Sequence, residues 1–498
     1  MKIYNKLWLL VVLVALGSCN DAIDIEQPGR LGAEQAFQST ADLEQGILGV
    51  YNNFDVTQEI QFNAVFTDEI SIGFDNGGQG LGSGEYGFIL NPGSAAPAAL
   101  WLNQYSALNS ANRLIEAALV ISPENDEQER YNNVLGEAYA LRAFAHFQLL
   151  SYFSTDYADD SALAGILVDF VPTVDQQLPR NTNGEFFALI NSDLDRAASL
   201  LNVASSTTFI SQDFVTALRA RMAAYRGNYG VAATQSQLLL DKYSLANRAE
   251  YEAMFLDADN TEIIFKLERT INDRYDGQGF TGSGFAGGWA GANFAFVDGT
   301  IDGSPYFEMG RSLFNTIDPT DIRFDVNVNN TSVISDDYQN AEDFKNEDIL
   351  VVGKYPGNEK PLLNDLKVFR TSEMLLIRAE AYADAGTING ASNSAAALIK
   401  QLRDARFGTD TALPNYANAT EAFGAILDER RIEFAFEGHR WKDLKRLGDL
   451  GNRSIVRDPL DCAVNGACTL PVSDFRFTMP IPLVELNANS VIQQNPGY

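Results

Sequence analysis

Between Glu127 and Phe153 apolar residues recur every three or four positions, and within that run Leu135-Gly136-Glu137-Ala138-Tyr139, followed by Ala143, alternates small with large side chains. This period predicts one long amphipathic helix. Small residues along one stripe let a second helix come close, so the segment is expected to be half of a packed helix pair.

The same period returns along much of the chain. Leu43, Ile47, Leu48 and Tyr51 mark a first helix, and Trp101, Tyr105, Leu108, Asn112, Leu114 and Ile115 a second long one. Further helices are predicted over Glu185 to Leu201, Phe214 to Tyr225, Val231 to Leu240, Thr371 to Ala385, Ala391 to Phe407 and Ala422 to Phe436. Arg221 to Asp241 and Leu376 to Arg406 each read as helix, turn and second helix, units of the kind that stack into a curved solenoid. The expected fold is mainly α, with about four tetratricopeptide-like helical hairpins and an irregular loop-rich half built into a single domain. Residues 271 to 360 lack sustained period and abound in Gly, Asn and Asp, with short β-like runs such as Asp348 to Val352. Loops of such length in a compact protein usually carry function.

The N-terminus sets the compartment. Ten apolar residues, Leu7 to Leu16, follow Lys2 and Lys6 and run into Leu16-Gly17-Ser18-Cys19. A membrane-spanning helix needs roughly 20 apolar residues, so this run reads as an export signal that is removed at a lipidation box. Two or more acyl chains on Cys19 would give lasting membrane attachment. The expected organisation is a signal peptide over 1–18, a lipidated tether over 19–40 and one domain over 41–498. Within it, helical hairpins occupy about 41–270 and 361–450, a ligand region about 271–360, and a C-terminal segment 451–498.

Composition narrows the partners. Against 36 basic residues stand 66 acidic ones, a formal charge of −30, which repels nucleic acid and argues for a neutral ligand. Three cysteines divide into Cys19 for lipid and Cys462 with Cys468 for a disulfide, leaving none for catalysis. With only His146 and His439 in the chain, zinc sites and histidine triads are poorly supplied.

Two glycine-rich, ring-bearing stretches fall outside the predicted helices: Gly73 to Phe88, and Tyr275 through Trp289 to Phe296. Glycine lets backbone run close to a ligand, and aromatic faces stack on the C–H surface of sugar rings. The candidate ligand-binding residues are Phe74, Asp75, Asn76, Tyr86, Tyr275, Trp289, Asn293 and Phe294, with Trp289, flanked by Gly287, Gly288 and Gly291, expected to be the most exposed ring.

Other motifs carry less. Gly277-Gln278-Gly279-Phe280-Thr281-Gly282 spells a dinucleotide fingerprint, but no helix follows to hold a pyrophosphate. No HExxH, Walker loop or GxSxG appears, so no enzyme and no cofactor are expected. Asp68-Glu69 reads as solvated charge rather than a glycosidase pair. Asp257, Asp259 and Glu262 lack the glycine and distant Glu of a calcium loop, leaving a structural cation such as calcium unsupported. In Glu429 to Arg446 the charges sit at three- and four-residue spacing, which suits structural ion pairs along a helix.

An ordered series of segments resembles the SusD/RagB family of outer-membrane nutrient-binding lipoproteins. It includes Trp101 and Tyr105 with Asn112, Leu141-Arg142-Ala143, Leu178-Pro179-Arg180, Asp193-Leu194, Asp321-Ile322-Arg323, Lys354-Tyr355 and Leu376 to Tyr382 with Gly386. Glu429-Arg430, Glu437 to Trp441, Asp443-Leu444, Ile481-Pro482 and Gln494 to Tyr498 complete it. The resemblance implies a non-catalytic lid on the cell surface, lipid-anchored in the outer membrane over a SusC-like TonB-dependent transporter, that captures oligosaccharides before import. In some members the cargo is peptide, for which Arg269 and Arg274 offer candidate carboxylate contacts. A lipid-anchored glycosidase is the remaining alternative.

Overall fold

The computed structural model describes residues 36–74, 78–202, 206–273, 288–295, 305–343 and 347–498. The chain enters through α1 (Thr40–Asn52), whose first turn is capped by Ser39 accepting from the Asp42 backbone N–H, and α2 (Thr57–Phe66). Then come α3 (Ala95–Ala118), α4 (Gln128–Phe153), α5 (Asn183–Leu200), α6 (Gln212–Tyr225), α7 (Tyr229–Leu240) and α8 (Arg248–Phe255). The short α9 (Arg311–Phe314) and α10 (Ile322–Asn327) precede α11 (Thr371–Asp384), α12 (Ala395–Phe407), α13 (Ala419–Glu433), α14 (Arg440–Gly451) and α15 (Leu483–Ala488).

Hairpin packing orders these helices. The α3 and α4 helices pack together, α4 packs on α5, and α6 on α7; α11 then closes on α7 from far along the chain and is followed by α12 and the α13–α14 pair. The expected helix–turn–helix over Arg221 to Asp241 turns at Gly227, whose φ of 69° suits a residue without Cβ. On α4 every residue from Ala138 to Phe153 is buried, and a Cβ on Gly136 would lie 2.9 Å from Leu201 Cγ, which explains the small-residue stripe. It is the central helix of the core.

Three two-stranded antiparallel sheets tie distant segments: β1 (Ile70–Ile72) with β3 (Phe307–Met309), β2 (Ile263–Leu267) with β4 (Leu366–Arg370), and β5 (Ile455–Val456) with β6 (Thr469–Leu470). In the first, Ile70 faces Met309, Ser71 faces Glu308 and Ile72 faces Phe307. The run Asp348 to Val352 contributes only the isolated bridges Val333–Ile349 and Val328–Val352.

Charge placement departs from expectation. The 429–446 segment is two helices, broken where Phe436 and Gly438 take φ of 63° and 81°, and most of its charges pair across elements instead of along one helix. Arg370, at the end of β4, binds Glu262, Glu433 and Glu437, while Arg406 of α12 binds Glu262 and Glu433. Asp68 is likewise no solvated group: it is buried and held by Arg440 at 2.9 Å and Arg431 at 3.4 Å. Burial would push its carboxyl up, but the two guanidinium groups outweigh that and hold it down at about 2. Glu69, beside it, has no such direct partner, and burial lifts it to about 8. Asp257 pairs with Lys367 and Asp259 caps the Thr261 N–H, so this trio with Glu262 serves separate structural ends.

Candidate ligand-binding site

The β1–β3 ladder sets Gly73, of the first glycine-rich stretch, against Pro305 and Tyr306 at one seam, and an isolated bridge joins Pro305 to Ala295 of the second stretch. Beyond β1 the Gly73 N–H donates to the Tyr306 carbonyl at 3.1 Å, and beyond β3 the Gly310 N–H donates to Glu69 O at 2.8 Å. A Cβ on Gly73 would collide with the Pro305 carbonyl oxygen, and one on Gly80 would crowd the Tyr306 carbonyl and the Phe307 ring. Glycine is required here because two backbones touch. Phe74 sits on this seam, half-buried against the core. Leu81 and Ile89, 50% and 58% exposed, flank it and were not singled out from sequence. Their only signal is apolar character in a stretch with no helical period to bury it.

The second stretch is pinned to the start of α2. Thr57 Oγ1 and Arg269 Nε donate to the Gly288 carbonyl at 3.0 and 3.2 Å, Asn293 Nδ2 donates to the Thr57 carbonyl at 3.2 Å, and Arg269 forms an ion pair with Asp55 at 2.6 Å. These ties pull the segment inward. Trp289 is therefore not the exposed ring expected: it is 6% exposed and packs with Ala292 and Leu363. A Cβ on Gly291 would lie 2.7 Å from Leu362 Cβ, so at least that neighbouring glycine serves close packing. Asn293 and Phe294 are also buried, Phe294 against Tyr355 and Phe436 with ring centroids 6.2 and 5.5 Å apart.

Tyr86 is a core residue as well. Its hydroxyl donates to the Asp461 carbonyl at 2.8 Å, and Arg457 lies 4.1 Å from its ring centroid. Beneath it Cys462 and Cys468 form a disulfide that closes the turn between β5 and β6. Of the predicted ligand residues, Phe74 alone among the described ones keeps partial exposure; Asp75, Asn76 and Tyr275 lie outside the described residues, as does Cys19.

The seam stands on buried carboxyls. Burial pushes Glu308 of β3 up to about 8, against the Leu350 backbone N–H, which lowers it, and Asp461 rises to about 7 for the same reason. Asp68 and Glu69 are both buried, so they do not flank an exposed sugar as a glycosidase pair would. Among the described residues no group of His, Cys, Asp and Glu is arranged to hold a metal ion.

Residues 25–225 match the family described as starch-binding associating with outer membrane, and residues 313–498 match the SusD family. The chain belongs to the SusD/RagB family. The SusD-like protein P2 of Formosa agariphila is 27% identical over the whole of both chains. A SusD superfamily structure from Bacteroides thetaiotaomicron superposes with a TM-score of 0.74 at 20% identity, covering 92% of this chain and 100% of that one. The surface glycan-binding protein A of Bacteroides fluxus gives 0.69 at 20% identity, over 93% and 100% of the two chains. These structures share the SusD fold, with its helical hairpins and loop-rich half.

Proposed function

We propose that the chain is a surface lipoprotein, anchored through Cys19, that binds neutral oligosaccharides at the β1–β3 seam and passes them to a SusC-like TonB-dependent transporter in the outer membrane. The observation that carries this is the ladder itself: a three-residue strand pair, extended by the Ala295–Pro305 bridge, joins described residues of both glycine-rich stretches at a seam that carries one partly exposed aromatic, Phe74. Aromatic contacts of this kind contribute about 0.5–1.5 kcal/mol each beyond burial, which suits weak, reversible capture before hand-over. The descriptions of the matched family and of the Bacteroides fluxus protein, starch-binding and glycan-binding, support the ligand class. A peptide cargo loses one of its anchors, because Arg269 is committed to Asp55. Catalysis has no support in Asp68, tied to Arg440 and Arg431, or in Glu69, buried beside it.

The test is twofold. Titration of the full chain with neutral oligosaccharides should show binding that Phe74→Ala weakens, with no sugar released; equal affinity in the variant would refute the seam. Gentle detergent extraction of the lipidated chain should co-purify a β-barrel transporter, and its consistent absence would refute delivery.

A further inference from the structure

A second ring-lined hollow lies away from the seam. It is a cleft of about 720 Å³ where the ends of α4, α6, α11 and α14 meet the C-terminal segment. Its volume falls in the range of roughly 300–1,000 Å³ typical of small-molecule sites. Tyr225 and Tyr229, only 5% and 8% exposed, line it, and neither hydroxyl is among the sealed polar atoms that lack a partner. With the rings packed away and no described residue bonded to either oxygen, the two phenols can take up hydrogen bonds from a guest in the cleft. Asp384 and Asp449 stand exposed at the rim with no ion pair among the described residues, and Phe475, packed edge-to-face with Tyr498 at 4.9 Å, is still 45% exposed.

We propose that this cleft is a second carbohydrate site, separate from the seam, that holds a short run of neutral sugar units. A pyranose has an apolar C–H face for Phe475 and hydroxyls for its edges. The tyrosine hydroxyls both donate and accept, whereas the aspartates accept only, together matching a ring of alcohols. Charge argues for neutrality: Arg446 in the wall is already paired with Glu380 and Asp443, burial lowers Lys445 to about 7, and the rim aspartates repel an anion. The ligand class rests on the reading of the chain as a glycan binder; the position does not.

Calorimetry of the full chain against maltotetraose, laminaritetraose and other neutral tetrasaccharides tests both, with hydrogen exchange locating each site. The expected result is two sites for at least one sugar, with protection at 224–229 and 472–478. Phe475→Ala and Asp449→Asn, both at exposed positions, should weaken one site about tenfold. Tyr225→Phe, which removes only a hydroxyl, should weaken it too, while Phe74→Ala affects the other site alone. A single site that responds only to Phe74→Ala overturns the cleft and leaves the seam standing. A single site that responds only to the cleft variants upholds the cleft and removes the seam; no binding to any sugar overturns both.

Discussion

Arg440, on the first turn of α14, reaches Asp68 beyond the end of α2: Nε donates to Oδ1 at 2.9 Å and Nη2 to Oδ2 at 3.0 Å, joining residues 372 positions apart. Both side chains are buried. Taking Arg440 away leaves the buried Asp68 carboxylate with Arg431 at 3.4 Å alone, so the cost stays below the roughly 3–5 kcal/mol of a fully stranded charge. Arg440→Ala should lose part of that amount in denaturant unfolding, and Arg440→Ala with Arg431→Ala more. Because the Asp68 carboxyl is held at about 2, below its unfolded value, its contribution is present above pH 3.8 and fades as pH falls toward 2. Unfolding curves of the parent between pH 5 and 2 should show the decline, and Asp68→Asn should flatten it.

Glu308 works the other way. Its folded-state proton is held up to about 8 against 4.5 when unfolded, so the folded form binds more protons across that interval and stability falls as pH rises through it. Glu308→Gln keeps the shape without the ionisation. The variant should therefore melt higher than the parent at pH 8 and about equally at pH 4, as thermal scans at the two values will show.

Phe74 and Trp289 should separate binding from folding. Truncating the buried Trp289 to Ala leaves a cavity and should cost about 3–5 kcal/mol of stability. Truncating half-buried Phe74 should cost far less and lower oligosaccharide affinity about three- to tenfold. Paired melting and titration of the two variants decides whether the roles are assigned correctly.

The Cys462–Cys468 bridge closes a short turn, for which the chain-entropy model gives about 2 kcal/mol. Replacing both cysteines by Ser should lower stability by about that amount. Faster hydrogen exchange should appear first in the 457–470 turn and around Tyr86, whose hydroxyl is bonded to Asp461.

Much of the helical body was legible because a half-buried helix writes its period into the chain. The α4 stripe and the helix–turn–helix over Arg221 to Asp241 are read directly, without the place of the turn. By contrast α2 was missed, since Glu59 to Phe66 are buried all round and leave no polar face to alternate with. The helix predicted from Ala391 begins at Ala395, where Ser394 accepts from the Ala397 N–H and caps it. At the site, glycine was read as room for a ligand. At Gly73, Gly80 and Gly291 it marks instead two backbones or a backbone and a side chain in contact, a relation fixed by residues far away in sequence. Asp68 was misjudged for the same reason: its partners Arg431 and Arg440 lie at the other end of the chain.

The β1–β3 pair is only three residues long on each strand. The chain that leaves β1 and the chain that enters β3 are tied together by that narrow waist, and each doubling of loop length costs only about 0.6 kcal/mol in closure entropy. Changes that spare Tyr86, Phe88 and Phe294, which pack in the core, should leave α4 and its neighbours undisturbed. Appetite can thus be retuned, sugar by sugar, on an unchanged chassis.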